Sequence, residues 1–333
     1  MPERALVTGG AGFLGLRLVR ALIERGDEVT ILDDFSRGRD DPELRELLKE
    51  ARLVEHDLTA PLPARQLGGD YGAVYHLAAV VGAQASAERP HQVLRVGLGA
   101  TLNLLDWTAT TQPGCLFLSS TSEVTDGAVR AGLASVPVAD ETPLVVSDVA
   151  LPRASYAIAK IASEAQFLHY GREYGVPVRV GRFFNVYGPR MGYDHVIPQL
   201  IGRALAGLDP LPVYGARQAR SFCFVDDAVE ATLLLTALQT VEPLVASIGD
   251  DREEVVIADL VDRILRLAGH DAELEIHDPP RGSPDRRCPD LRRLRELTGY
   301  EPGVGLEQGL RRTFDWYRGQ WEGDQQTAGA GEG

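Results

Sequence analysis

Val7-Thr8-Gly9-Gly10-Ala11-Gly12-Phe13-Leu14-Gly15 is the stretch that decides the fold. The apolar run 5–8 precedes it. Behind it Leu14, Leu18, Val19, Leu22 and Ile23 recur at helical spacing until Gly26-Asp27 closes the helix. A second apolar run, 28–32, follows, so the unit is strand, glycine turn, helix, strand. Glycines at 9, 12 and 15 allow a tight turn and let the backbone approach a pyrophosphate, which the positive end of the helix opened by Phe13 and Leu14 would hold. The second strand ends in Leu32-Asp33-Asp34. There Asp33 can accept hydrogen bonds from adenosine ribose hydroxyls and would repel a 2′-phosphate. That favours NAD over NADP, with Arg37 and Arg39 just beyond as the residues arguing the other way.

Working outward, further strand-like runs at 52–55, 73–77, 116–119 and 178–183 alternate with helix-length segments. This is the rhythm of an α/β chain with a Rossmann-like doubly wound parallel sheet. After about residue 185 the pattern loosens. Pro189, Pro198, Pro210 and Pro212 punctuate it before helices near 226–238, 257–268 and 306–317. The expected organisation is a dinucleotide domain over 1–185, a smaller C-terminal substrate-binding lobe over 186–318, and a flexible tail over 319–333, where Gly, Gln and Glu dominate.

Composition excludes several functions. A formal charge of −14 argues against sequence-independent binding of nucleic acid, which needs cations against phosphates. No apolar run approaches the ~20 residues of a membrane span. Met1-Pro2-Glu3-Arg4 leads straight into the first strand, leaving no room for a signal peptide, so a cytoplasmic location is expected. Cys115, Cys223 and Cys288 are too far apart for a CxxC pair and lack zinc-ligand histidines, so neither a disulfide nor a metal site is expected.

Four later stretches carry chemistry. His56-Asp57-Leu58 and His76-Leu77-Ala78-Ala79 follow the third and fourth strands, where Asp57 and Leu58 would lie near the adenine and Leu77, Ala78 and Ala79 along the pyrophosphate and ribose. Tyr156-Ala157-Ile158-Ala159-Lys160 spaces a phenol and an ammonium by one helical turn. A free phenol, with pKa near 10, is a poor base at neutral pH unless a fixed cation favours its anion; Lys160 supplies one. The preceding strand ends in Leu118-Ser119-Ser120-Thr121-Ser122-Glu123, whose hydroxyls would emerge at the carboxyl edge of the sheet, where ligands of such folds sit.

Taken in order over about residues 4–318, Gly9/Gly12/Gly15, Asp33, His76-Leu77-Ala78-Ala79, Ser120-Thr121 and Tyr156 with Lys160 resemble the extended short-chain dehydrogenases. That family comprises NAD-dependent nucleotide-sugar epimerases, dehydratases and decarboxylases. The resemblance implies that Tyr156 removes the proton of a sugar 4-hydroxyl while Thr121 hydrogen-bonds it. It further implies that Lys160 also binds the nicotinamide ribose and that Ser119 lies beside the cofactor. It also implies a homodimer, formed by the Tyr156 helix and the helix over 93–107.

The remaining assignments rest on the same resemblance. Arg182-Phe183-Phe184-Asn185-Val186-Tyr187-Gly188-Pro189-Arg190 is similar to the family stretch at the sugar diphosphate, giving roles to Asn185 and Arg190. Val213-Tyr214 and Arg220 resemble the segments around the nucleobase and diphosphate, with Arg281 a further phosphate ligand. Glu123 stands two residues after Thr121, as in UDP-glucuronate decarboxylases (UDP-xylose synthases), and would protonate C5 after carbon dioxide leaves, or else position an arginine. UDP-glucuronate decarboxylation is therefore expected first, a UDP-sugar 4-epimerase second, a 4,6-dehydratase third and a catalytically silent NAD-binding sensor last. Two departures put the substrate in question: Val124-Thr125-Asp126-Gly127 replaces the usual Val-Tyr-Gly, and Gly97 stands where Asn is common.

Overall fold

The computed structural model describes residues 3–80 and 83–330. Strands β1 (Arg4–Thr8), β2 (Glu28–Asp33), β3 (Arg52–Glu55), β4 (Ala73–His76), β5 (Leu116–Thr121), β6 (Val178–Phe183) and β7 (Leu244–Ile248) form one sheet in the order β7-β6-β5-β4-β1-β2-β3. All neighbours are parallel. The strand order reverses between β1 and β4, which opens a crevice at the carboxyl ends of the strands.

The strands are apolar on both faces because both are covered. Along β1, Ala5 and Val7 join the core built with Leu18 and Leu22 of α1 (Phe13–Glu24), whereas Leu6 joins the opposite core with Leu104 of α2 (Pro90–Thr111) and Phe167 of α3 (Ala154–Tyr174). Helices α2 and α3 cross closely. A Cβ at Gly97 would lie 2.9 Å from that of Ala159, and the Thr101 and Ser163 hydroxyls are 2.9 Å apart.

The smaller lobe packs α4 (Val196–Leu205), α6 (Ile257–Ala268) and α7 (Leu306–Ala330) around Ile201, Leu260, Ile264, Leu310 and Phe314. Its short strands place side chains for the site: Ala219–Ser221 pairs in parallel with Arg286–Arg287, setting Arg287 opposite Arg220. The boundary expected at 185 is crossed by the chain. Helix α5 (Val225–Thr236) returns to pack on the α1 side, and β7 extends the main sheet beside β6. The segment expected as a flexible tail continues α7 as helix through Ala330, because Gln, Glu and Ala favour helix enough to carry it past Gly319 and Gly323; residues 331–333 lie outside the described residues. Among the described residues no helix is long and apolar enough to cross a membrane.

Candidate active site

A cavity of about 590 Å³ lies between the carboxyl ends of the strands and the smaller lobe. Its cofactor half begins at the glycine turn. Gly9 has φ +72°, and a Cβ there would lie 2.8 Å from the Ala78 amide, while one on Gly15 would strike the Gly9 carbonyl oxygen. No side chain caps the start of α1, so its first N–H groups are left for a ligand. Asp33 is buried; its Oδ2 accepts from Ala11 N and its Oδ1 from Phe35 N, both at 2.9 Å. Burial raises its pKa, and these two N–H bonds oppose the rise. Each oxygen keeps a lone pair for a ribose hydroxyl. Asp57, Leu58, Leu77, Ala78 and Ala79 complete this wall. Asp57 is held below the usual carboxylate range by hydrogen bonds from the backbone and hydroxyl of Thr59. Backbone donors at a helix N-terminus, a cavity-lining carboxylate and a cradle that any Cβ would fill fit a bound dinucleotide.

Arg190 lines the cavity, yet its guanidinium is turned away from any sugar diphosphate. Nε pairs with Asp41 at 2.6 Å, Nη1 donates to the carbonyls of Ala11 and Gly12, and Nη2 to that of Arg39. A buried guanidinium must spend its donors, and the glycine loop offers carbonyls at the right height. Arg190 therefore braces the cofactor loop from the smaller lobe. Arg37 pairs with Asp194 at 3.1 Å.

Tyr156 and Lys160 sit beside the end of β5. Lys160 is buried and donates from Nζ to the Ser119 carbonyl at 2.7 Å, 5.9 Å from the centre of the Tyr156 ring. Burial lowers the Lys160 pKa to about 8. Burial, and then the Glu123 carboxylate, push the Tyr156 phenol well above its ordinary value. A nearby cation must offset this before the phenol can act as a base at neutral pH. Thr121 accepts the Glu123 N–H at 3.3 Å at the turn where β5 ends. His76 is a satisfied internal residue: Nδ1 bonds the Thr8 hydroxyl at 2.9 Å and burial lowers its pKa to about 3.

At the far end, Glu123 faces Arg153 at 3.6 Å, and Arg287 pairs with Asp126 at 2.5 Å. The departure at 124–127 thus brings in the carboxylate that anchors Arg287. Asn185, at φ +41°, donates from Nδ2 to the Ser221 carbonyl at 2.8 Å. Arg220 bonds Gln218, the Ser283 hydroxyl and the carbonyls of Pro284 and Asp285, and its pKa falls to about 10 through burial and then the Arg287 charge. Tyr214 stacks on His277 at 4.8 Å with Val213 beneath it in the lobe core. Arg281 is exposed and does not line the cavity. The turn at Gly282-Ser283 directs it outward and brings Arg287 in instead.

The family model described as "NAD dependent epimerase/dehydratase family" matches residues 5–249. The chain belongs to that family. NAD is its cofactor. It is 33% identical over 329 residues to a UDP-N-acetyl-alpha-D-glucosaminuronate decarboxylase of Bacillus cytotoxicus, covering 96% of this chain and 98% of the relative. It is 33% identical to UDP-glucuronic acid decarboxylase 1 of Xenopus tropicalis, covering 96% and 73%. The solved structure of MoeE5 in complex with UDP-glucuronic acid and NAD superposes with a TM-score of 0.82 at 26% identity, covering 95% of this chain and 99% of that one.

Within this epimerase/dehydratase fold the sequence motifs converge: the glycine loop, Asp33, Ser119, Thr121, Glu123, Tyr156, Asn185, Val213, Tyr214 and Arg220 all line one cavity. Arg153, Arg287 and His195 line it too. Arg153 was legible three residues before Tyr156, on the turn leading into its helix. His195 carries no motif of its own.

Proposed function

We propose that this enzyme decarboxylates a UDP-hexuronate of the UDP-glucuronate type. The observation that carries the proposal is Glu123, paired with Arg153 on the same cavity wall as Thr121 and Tyr156, with Arg287 close behind. Tyr156 takes the proton of the sugar 4-hydroxyl, Thr121 holds its oxygen, and Lys160 favours the tyrosinate. When bound, NAD supplies the acceptor and later the donor of the C4 hydride. With C4 a ketone, the C5 carboxylate belongs to a β-keto acid: the bond between C5 and the carboxyl carbon breaks, carbon dioxide leaves, and its electron pair becomes an enolate. Glu123, directly or through a water, then delivers a proton to C5. Guanidinium groups suit both the carboxylate and the diphosphate because their planar forks bind two oxygens. Asn185, Val213, Tyr214 and Arg220 line the end assigned to the nucleotide.

A homodimer through α2 and α3, on which Leu102 is exposed, and a cytoplasmic location belong to the same proposal. Three buried free thiols suit a reducing compartment.

Mass spectrometry of products from UDP-glucuronate labelled with ¹³C at the carboxyl carbon tests the reaction, with the 2-acetamido analogue run in parallel. Labelled carbon dioxide and UDP-xylose are expected. UDP-galacturonate with the label retained would make the enzyme a 4-epimerase, and loss of water alone a dehydratase.

A further inference from the structure

Glu164 takes no part in the steps above, yet it is buried one helical turn beyond Lys160 on α3, at 2% exposure. A buried carboxylate is strongly unfavourable unless its oxygens are satisfied, and these are. Oε1 accepts from the Ser120 hydroxyl at 2.5 Å and from Arg182 Nε at 3.0 Å; Oε2 accepts from Arg182 Nη2 at 2.8 Å. Arg182 Nη1 continues to the Asp140 carbonyl at 2.8 Å, and Asp140 Oδ1 accepts the N–H and O–H of Ser247 at 2.7 and 2.6 Å. The network joins α3 to β5, β6 and β7. Ser120 stands between Ser119, whose carbonyl takes the Lys160 bond, and Thr121.

We propose that Glu164 is a positioning residue for Lys160: through Ser120 and Arg182 it fixes the strand end on which the ammonium rests, and it supplies the negative charge that faces it. The proposal rests on the Tyr156–Lys160 assignment. The other charges nearby do not replace it. His76 on β4 is neutral at working pH, Arg182 on β6 is neutralised by Glu164 itself, and α2 meets this stretch of α3 through Gly97 and Thr101. Glu123 and Arg37 act on the Tyr156 phenol. Burial lowers the Lys160 pKa and Glu164 opposes that fall. Without the carboxylate the ammonium gives up its proton at lower pH, and the tyrosinate loses its support there.

The test is the pH profile of kcat for E164Q, which keeps the shape and removes the charge. Expected are retained NAD, a KM within about three-fold of the parent, at least a roughly ten-fold loss of kcat at neutral pH, and an alkaline limb displaced about one unit downward. E164D should recover part of both. If E164Q does not fold, E164Q/R182M also removes the guanidinium that E164Q leaves unpaired and carries the same expectation. A parent-like profile, or a rate loss that follows thermal stability with no displacement of the limb, overturns the proposal. Y156F run alongside separates the two assignments. If Y156F is as active as the parent, the reactive pair is wrong and the proposal falls with it; an inactive Y156F beside a parent-like E164Q overturns the proposal alone.

Discussion

The Lys160 ammonium rests on the Ser119 carbonyl oxygen at 2.7 Å, in a setting whose burial brings its pKa down to about 8. The unfolded chain has the ordinary value near 10.4. Between these values the unfolded state binds more protons, so stability rises from pH 8 to about 10.4; below pH 8 the folded protein carries the full cost of the buried charge, about 3 kcal/mol. Lys160→Met removes that cost and one hydrogen bond worth about 1 kcal/mol. The NAD-free variant should therefore gain about 2 kcal/mol at pH 7 in urea unfolding, lose that gain above pH 10.4, and turn over no substrate. A variant less stable than the parent at pH 7 would show that the site does not strain Lys160.

Glu123 has two possible duties, moving a proton or orienting Arg153 across 3.6 Å. If it moves the proton, Glu123→Gln lowers kcat by roughly 10²–10³ with KM changed less than about three-fold. Carbon dioxide release should fall in step. Steady-state kinetics beside Arg153→Lys decides: two variants sharing one raised KM and a kcat near that of the parent would give Glu123 the orienting duty.

What the sequence made legible depends on whether a signal is local. Strands at 52–55 and 178–183 and the helix at 257–268 emerge with the expected bounds, because apolar runs and helical spacing are written into neighbouring residues. β5 runs on to Thr121, two residues past the expected end, since Ser and Thr read as turn formers although the sheet pairs them with Arg182 and Phe183. The arginines were harder. Arg190, Arg281 and Arg287 look alike as letters, and which one enters the cavity is set by a backbone at φ +70° in one case and by a strand pairing with Arg220 in another. Neither is visible in local pattern. The return of β7 to the sheet likewise depends on pairing with β6, 65 residues away in the register of Leu244 with Arg179.

Arg190 supplies a prediction about the cofactor. It ties Asp41 to the carbonyls of Ala11 and Gly12, so Arg190→Ala should loosen the glycine loop. Purified protein should carry less NAD, and the NAD dissociation constant should rise at least roughly ten-fold, about 1.4 kcal/mol. Binding of UDP, measured by calorimetry on NAD-saturated protein, should stay within about two-fold. A loss of UDP affinity with NAD binding intact would return Arg190 to the sugar diphosphate.

Arg287 and Arg281 are six residues apart in sequence and opposite in exposure, which makes them a matched pair for testing the anionic end of the cavity. Arg287 lines the cavity and is held by Asp126 at 2.5 Å, and its Nε is buried without a protein partner. Arg281 stands in solvent outside the cavity, where a single charge contributes little. Arg287→Ala should raise KM for the UDP-hexuronate or lower kcat/KM by roughly 10² or more, since it removes a charged hydrogen bond and leaves Asp126 facing the substrate's negative charge. Asp126→Asn/Arg287→Ala should recover part of that loss by removing the repulsion. Arg281→Ala should change kcat/KM less than about two-fold. The reverse ranking of the two single variants would place the phosphate contact on the 281 turn and require that turn to close inward over the bound nucleotide.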